Sequence, residues 1–254
     1  MIRNYLYIMA AMTDAPTMTN APATSTDDIH ILVDRSGSME HILTPTVSGL
    51  NEFMGSQKHL PGAENTFVTL HTFDDQYETP IPRTPLAEVP TITVWHIAPR
   101  GMTALYDAIG HMFADMPMTP AKVVIVTDGE ENASKQFTKR QVMDQITERR
   151  RLGWTFIFLA ANQDAIASGM SIGIPREAAC TFNTTEGEVE SVFRGASNVM
   201  TRARTDNAPA EFTQLERESS ANTHLDEDSD TVSMLPPPAM MRTYSIPSRG
   251  ATGY

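Results

Sequence analysis

Short, nearly continuous apolar runs alternate with helical stripes through the middle of this chain. Ile29-His30-Ile31-Leu32-Val33 is brief and rich in β-branched residues, the mark of a strand buried on both faces. Residues 44–58 follow as a helix with Val47, Leu50 and Met54 along one side. Phe67 to Phe73 reads as a second strand, Asp74-Asp75-Gln76 as a turn, and Tyr77 to Ile81 as an antiparallel partner. Residues 82–91 are rich in proline and should be irregular, and 92–97 a short extended segment. Leu105, Ala108, Ile109, Met112 and Phe113 stripe a helix that Pro117 and Pro120 stop. Val123 to Val126 is the clearest central strand. Thr138-Lys139-Arg140-Gln141 has capping-box spacing and opens a helix to about Arg151. A strand from Trp154 to Ala160, a short helix from Asp164 to Gly169 and a last strand from Ala178 to Phe182 complete the alternation. The helix from Glu186 to Arg204 closes it, with Val189, Val192, Phe193, Ala196, Val199 and Met200 on one side.

That order predicts an α/β, doubly wound, mostly parallel sheet with one antiparallel edge strand, as a single domain over residues 28–204. The flanks differ in kind. Arg3 and the apolar run from Tyr5 to Met12 resemble a very short signal-peptide core, but residues 1–27 read better as a disordered leader ending in a Thr-, Ala- and Pro-rich linker. Residues 205–254 are acidic, contain Pro236-Pro237-Pro238 and show no apolar period, so they read as a disordered tail.

Charge and cysteine content narrow the functions. The net charge of −12 argues against broad nucleic-acid binding, which needs a basic footprint. The one cysteine, Cys180, rules out an intrachain disulfide or a thiolate zinc cluster and fits a reducing, cytoplasmic setting. No run is long enough to span a bilayer. The seven histidines are scattered, and His30 and His71 fall inside strands, where packing is their expected role.

The candidate chemistry lies at strand ends. Asp34-Arg35-Ser36-Gly37-Ser38 follows the first strand directly, and Gly37 lets the turn bring two hydroxyls and a carboxylate to one point. Few protein ligands, all oxygen, suit Mg²⁺, which keeps several waters. Asp128 follows the central strand, and Thr103 offers a hydroxyl where the helix after Gly101 begins. Alone, each segment is an ordinary turn or cap. In an open parallel sheet, however, loops after central strands share the rim on which ligands bind.

Asp-x-Ser-x-Ser with a distal Thr and a distal Asp resembles the von Willebrand factor A domain and its metal-ion-dependent adhesion site, over residues 28–204. Asp-Arg-Ser-Gly-Ser-Met, Gly-x-Thr-Ala-Leu-x-Asp-Ala-Ile-Gly and Thr-Asp-Gly-Glu-Glu-Asn look like the bacterial and phage branch. The resemblance implies Ser36 and Ser38 as direct metal ligands, and Thr103 as a direct or water-mediated one. It makes Asp34 and Asp128 acceptors for coordinated waters. The implied cofactor is Mg²⁺, with Mn²⁺ or Ca²⁺ as substitutes. The implied partner is a protein whose Glu or Asp carboxylate completes the octahedron, without enzymatic chemistry.

Around the metal, Arg35, Arg100, Glu130 and Glu131 are expected on the partner-binding rim, with Asp74 and Asp75 at the same edge. An acidic rim there calls for a partner acid framed by basic residues. Alternative readings are an adaptor for a ring-forming AAA+ ATPase, as in chelatase-type complexes, and a virion or surface structural protein. A haloacid-dehalogenase-type phosphohydrolase fits worse. It needs a second carboxylate two residues after the first, where this chain has Ser36.

Overall fold

The computed structural model describes residues 26–161 and 164–221. Six strands form one sheet: β1 (Asp27–Asp34), β2 (Thr66–Phe73), β3 (Tyr77–Pro85), β4 (Lys122–Thr127), β5 (Thr155–Ala161) and β6 (Ala179–Phe182). Their order is β3-β2-β1-β4-β5-β6, with every pair parallel except β2–β3. The expected architecture is therefore the observed one. After β1 the chain winds outward to β2 and β3, then returns to lay β4 on β1's other side. The loops leaving β1 and β4 thus diverge at the switch in strand order, where open sheets bind ligands.

Strand residues alternate between two cores. Ile29, Ile31 and Val33 of β1, with Val124 and Val126 of β4, face α1 (Leu43–Gln57) and α5 (Glu186–Thr205). Leu32, Val123 and Ile125 face the opposite way, toward α2 (Leu105–Asp115) and α3 (Lys139–Arg151), with α4 (Ala165–Ser171) further along. A Cβ at Gly49 would lie 2.2 Å from the Phe193 ring, so glycine sets the close approach of α1 and α5. His30 and His71 are interior, as expected. The His30 Nδ1 and His71 Nε2 nitrogens are 3.0 Å apart, and Tyr77 Oη is 2.8 Å from His71 Nδ1. Burial pushes His30 down to about 4 and His71 to about 3, so both rings are neutral at pH 7.

Three segments depart from the sequence expectation. First, β3 runs on through Pro82 to Pro85 instead of ending at Ile81. It is an edge strand, whose outward side needs no N–H donors, and its pairing with β2 is irregular between Val68 and Thr72. Second, residues 94–97 form a 3₁₀ turn rather than an extended segment, closed by reciprocal Thr93 and His96 capping bonds. Third, ordered structure continues past residue 205 into α6 (Gln214–Ala221), which packs on α5 and the other edge strand, β6. Phe212 is buried, Arg202 pairs with Glu216 at 2.9 Å, and Arg217 donates to the carbonyls of Ala179, Arg176 and Glu177. Polar bonds fix α6, which is why an apolar-period reading passes over it. The expected leader up to residue 25 and the tail beyond 221 lie outside the described residues. Among those described, no helix is long and apolar enough to cross a membrane.

Candidate metal centre

Three loops meet at the carboxyl edge through backbone bonds. Arg35 N donates to Phe73 O at 2.7 Å, Arg100 N to Arg35 O at 2.7 Å, and Gly37 N to Gly101 O at 3.2 Å. The first ties the β1 loop to the end of β2, and the other two zip it to the Gly101 loop. Gly101 has φ +65°, and a Cβ there would sit 2.1 Å from Asp75 Oδ1, so the tight turn requires glycine. The third loop follows β4. Asn132 N and Ala133 N donate to Thr103 O at 2.9 and 3.1 Å, while Asn132 Oδ1 accepts from Thr103 N at 3.0 Å.

The five predicted metal-site residues come together. Asp34, fully buried at the end of β1, accepts from Ser36 N at 2.7 Å and from the Thr127 hydroxyl at 2.6 Å. Ser36 Oγ lies 3.1 Å from Ser38 Oγ, which donates to Asp128 Oδ1 at 2.7 Å. Thr103 reaches the cluster from across Gly129. A Cβ on Gly129 would lie 2.9 Å from Thr103 Oγ1 and 3.6 Å from Ser38 Oγ. Glycine therefore keeps clear the space between the hydroxyls.

These two carboxylates lack strong cationic partners. Burial pushes the Asp34 carboxyl up to about 6, outweighing its bonds to Thr127 and Ser36, with a small added push from Asp128. Burial also raises Asp128, despite the Ser38 hydrogen bond. Asp128 Oδ2 is buried with no hydrogen-bond partner, and His41 Nδ1 approaches it only to 3.9 Å. Leaving a buried carboxylate oxygen unpaired is costly unless something positive reaches it. Among the described residues no trio of His, Cys, Asp or Glu is gathered for a metal, so any ion here is held largely by hydroxyls. Such a donor set suits a hard cation with retained waters, and the residues present fit one.

The predicted rim is only partly free. Arg35 is buried, its guanidinium 2.9 Å from Glu78 and 3.5 Å from Asp74, while Arg100 bonds Asp74 and Glu78. The expectation that Arg35 faces a partner is thereby corrected, as it is buried against carboxylates of its own chain, whereas Arg100 pairs with the same carboxylates and remains exposed at the rim. Glu131 is half-buried at the same edge and held by its own loop. Its carboxylate accepts from Tyr106 N, Ala133 N, Ser134 N and the Ser134 hydroxyl at 2.7–3.0 Å, pinning the β4 loop to the start of α2. Of the four, Arg100 and Glu130 stay exposed.

Asp107 is the residue the sequence reading passed over as a site organiser. Burial opposes its ionisation, but the backbone N–H groups of Lys135, Phe137 and Gln136 hold its carboxyl below the usual range. Asp107, Glu131 and Asn132 together fix Thr103 relative to Asp128. They stand inside the three motifs, and their pairing with backbone donors of a distant loop was the missing signal.

No protein-family model matches this sequence, and no curated protein does. Solved structures match its fold. Proximal thread matrix protein 1 from the mussel byssus aligns with TM-score 0.54 at 15% identity, over 70% of this chain and 46% of that one. The pilus adhesin SpaC from Lactobacillus rhamnosus GG, in its open conformation, gives 0.53 at 13%, over 70% and 30%. The von Willebrand factor domain of a type V pili tip protein from Porphyromonas gingivalis gives 0.53 at 10%, over 74% of this chain and 98% of that domain. This chain has the von Willebrand factor A fold. It spans less than half of the mussel protein and of the adhesin, and about the whole of the pili tip domain. A further crystal of the mussel protein, TM-score 0.51 at 14% identity over 70% of this chain and 46% of that one, is described with zinc in its metal-ion-dependent adhesion site. In this von Willebrand factor A fold, Asp34, Ser36, Ser38, Thr103 and Asp128 share the carboxyl edge of the sheet.

Proposed function

We propose that this domain is a metal-dependent protein-docking module. Ser36, Ser38 and Thr103 would ligate a divalent cation, Mg²⁺ or in its place Mn²⁺ or Ca²⁺, and Asp34 and Asp128 would receive hydrogen bonds from its waters. Neutral hydroxyls leave most of the ion's charge uncancelled, so an external Asp or Glu carboxylate is the natural last ligand. The observation that carries this reading is the pair of buried carboxylates, one with an orphaned oxygen, set around three hydroxyls. Docking needs no nucleophile or proton-transfer pair, and we read the domain as non-enzymatic.

The occupied site of the mussel protein supports a metal at this position of the fold but names zinc. The neighbours' descriptions are of a byssus thread and of pili, so the cytoplasmic expectation draws no support from them. A ring-forming ATPase would be one special case of the docked partner.

Calorimetric titration of Mg²⁺ into the full chain should show saturable binding, abolished in the Ser36→Ala/Ser38→Ala double variant. Immobilised protein should release its captured partner when EDTA is added. Equal Mg²⁺ binding by the double variant would sink the metal assignment, and EDTA-resistant capture would sink the bridging role.

A further inference from the structure

We infer that the docked partner carries a lysine or arginine beside its acidic residue, seated in the cleft between Gly129 and the start of α2. This inference rests on the metal-docking reading and specifies the partner it accepts. The cleft holds about 230 Å³ and begins at Gly129 and Glu130, immediately after Asp128. Tyr106, Glu131, Lys139 and Ser171 are among its polar walls, with Leu105, Phe158 and Ile172 as apolar ones. Its volume falls below the roughly 300 Å³ at which small-molecule sites begin, which favours one long side chain over a free ligand.

Charge selects that side chain. No cation pairs with Glu131 among the described residues: its four donors are backbone N–H groups and a hydroxyl. Glu130 is exposed and forms no ion pair among the described residues, so two carboxylates face the single positive charge of Lys139. Tyr106 adds an aromatic wall on which an ammonium or guanidinium group can rest.

The wider edge is biased the same way. Arg35 and Arg100 are committed to Asp74 and Glu78, while Glu40 and Asp75 are exposed and make no ion pair among the described residues. A partner bearing only acid would meet net repulsion outside the metal itself, and a neighbouring cation reverses that.

The test is selection from random peptides with one fixed central aspartate, panned on the full chain in Mg²⁺ and eluted with EDTA. Lys and Arg should be enriched within three positions of the aspartate. Against Glu130→Lys that enrichment should vanish, and the selected peptides should bind about two- to fivefold more weakly. Lys139→Glu should move affinity the opposite way. EDTA-eluted peptides without basic preference, or an unchanged preference on Glu130→Lys, would overturn the inference and leave metal docking intact. Failure to obtain any EDTA-elutable peptide would overturn the docking reading, and this inference with it.

Discussion

Asp34 ends β1, and Asp74 directly follows Phe73, the residue paired with Asp34 in the sheet. Both carboxylates are fully buried at the same edge, yet they are treated in opposite ways. Asp74 is held by Arg100 and flanked by Arg35, with Gln76 N donating at 2.6 Å. Asp34 receives only an N–H and a hydroxyl, and its proton affinity rises accordingly. The chain supplies a permanent counter-cation at one strand end and withholds it at the next. A carboxylate completed by arginine is structural, whereas one left short of positive charge suits the removable ion we propose.

This contrast can be broken at either end. The largest effect belongs to Asp74→Ala, which leaves a buried arginine short of a partner. Urea unfolding should show a loss of about 3–5 kcal/mol, indifferent to Mg²⁺. Asp34→Asn should behave in the reverse sense, with metal-free stability unchanged or improved because a poorly compensated charge is gone. What it should lose is the Mg²⁺-induced stabilisation, about 2.7 kcal/mol when the metal is at a hundredfold its Kd, read from thermal melts. If Asp34→Asn weakens the metal-free protein as much as Asp74→Ala does, the two carboxylates are not different in kind.

Gly129→Ala sharpens the comparison at the site itself. Its methyl would press on the Thr103 hydroxyl, and Mg²⁺ affinity should fall by about 1–3 kcal/mol in calorimetry, the usual cost of an added methyl group in a packed space.

The smallest effect comes from the interior histidines. Their folded proton affinities are depressed below the unfolded value, so between pH 6.5 and about 4 the unfolded chain takes up protons that the fold refuses. Each histidine thereby removes stability as pH falls, by about 1.4 kcal/mol per pH unit. His71→Asn should flatten the urea-derived slope between pH 6.5 and 5 by about that amount. Unaltered steepness would mean that His71 is charged in the fold.

Much of this was legible in the chain because it depends on local pattern. Continuous apolar strands, helical stripes and the Thr138 capping box fixed the element order, and carboxylates placed directly after strands located the site. Residues whose role depends on a distant partner were not legible. Arg35 and Arg100 look like free rim charges until the β2–β3 turn brings Asp74 and Glu78 to them. Glu131 looks solvated until the start of α2 offers it backbone donors. The α6 segment, with Leu215 73% exposed, has no apolar stripe to announce it and docks through Arg202, Arg217 and Phe212 instead.

The two margins of the sheet carry a consequence of their own. Along one margin, Pro80 and Pro82 cannot donate to a newcomer's backbone, and along the other a four-residue strand lies against α6. Neither flank welcomes strand addition from another copy, so concentrated protein should stay dispersed instead of growing into fibrils. On the docking reading, encounters with other molecules would thereby be channelled to the loop crown, where a chelator could undo them.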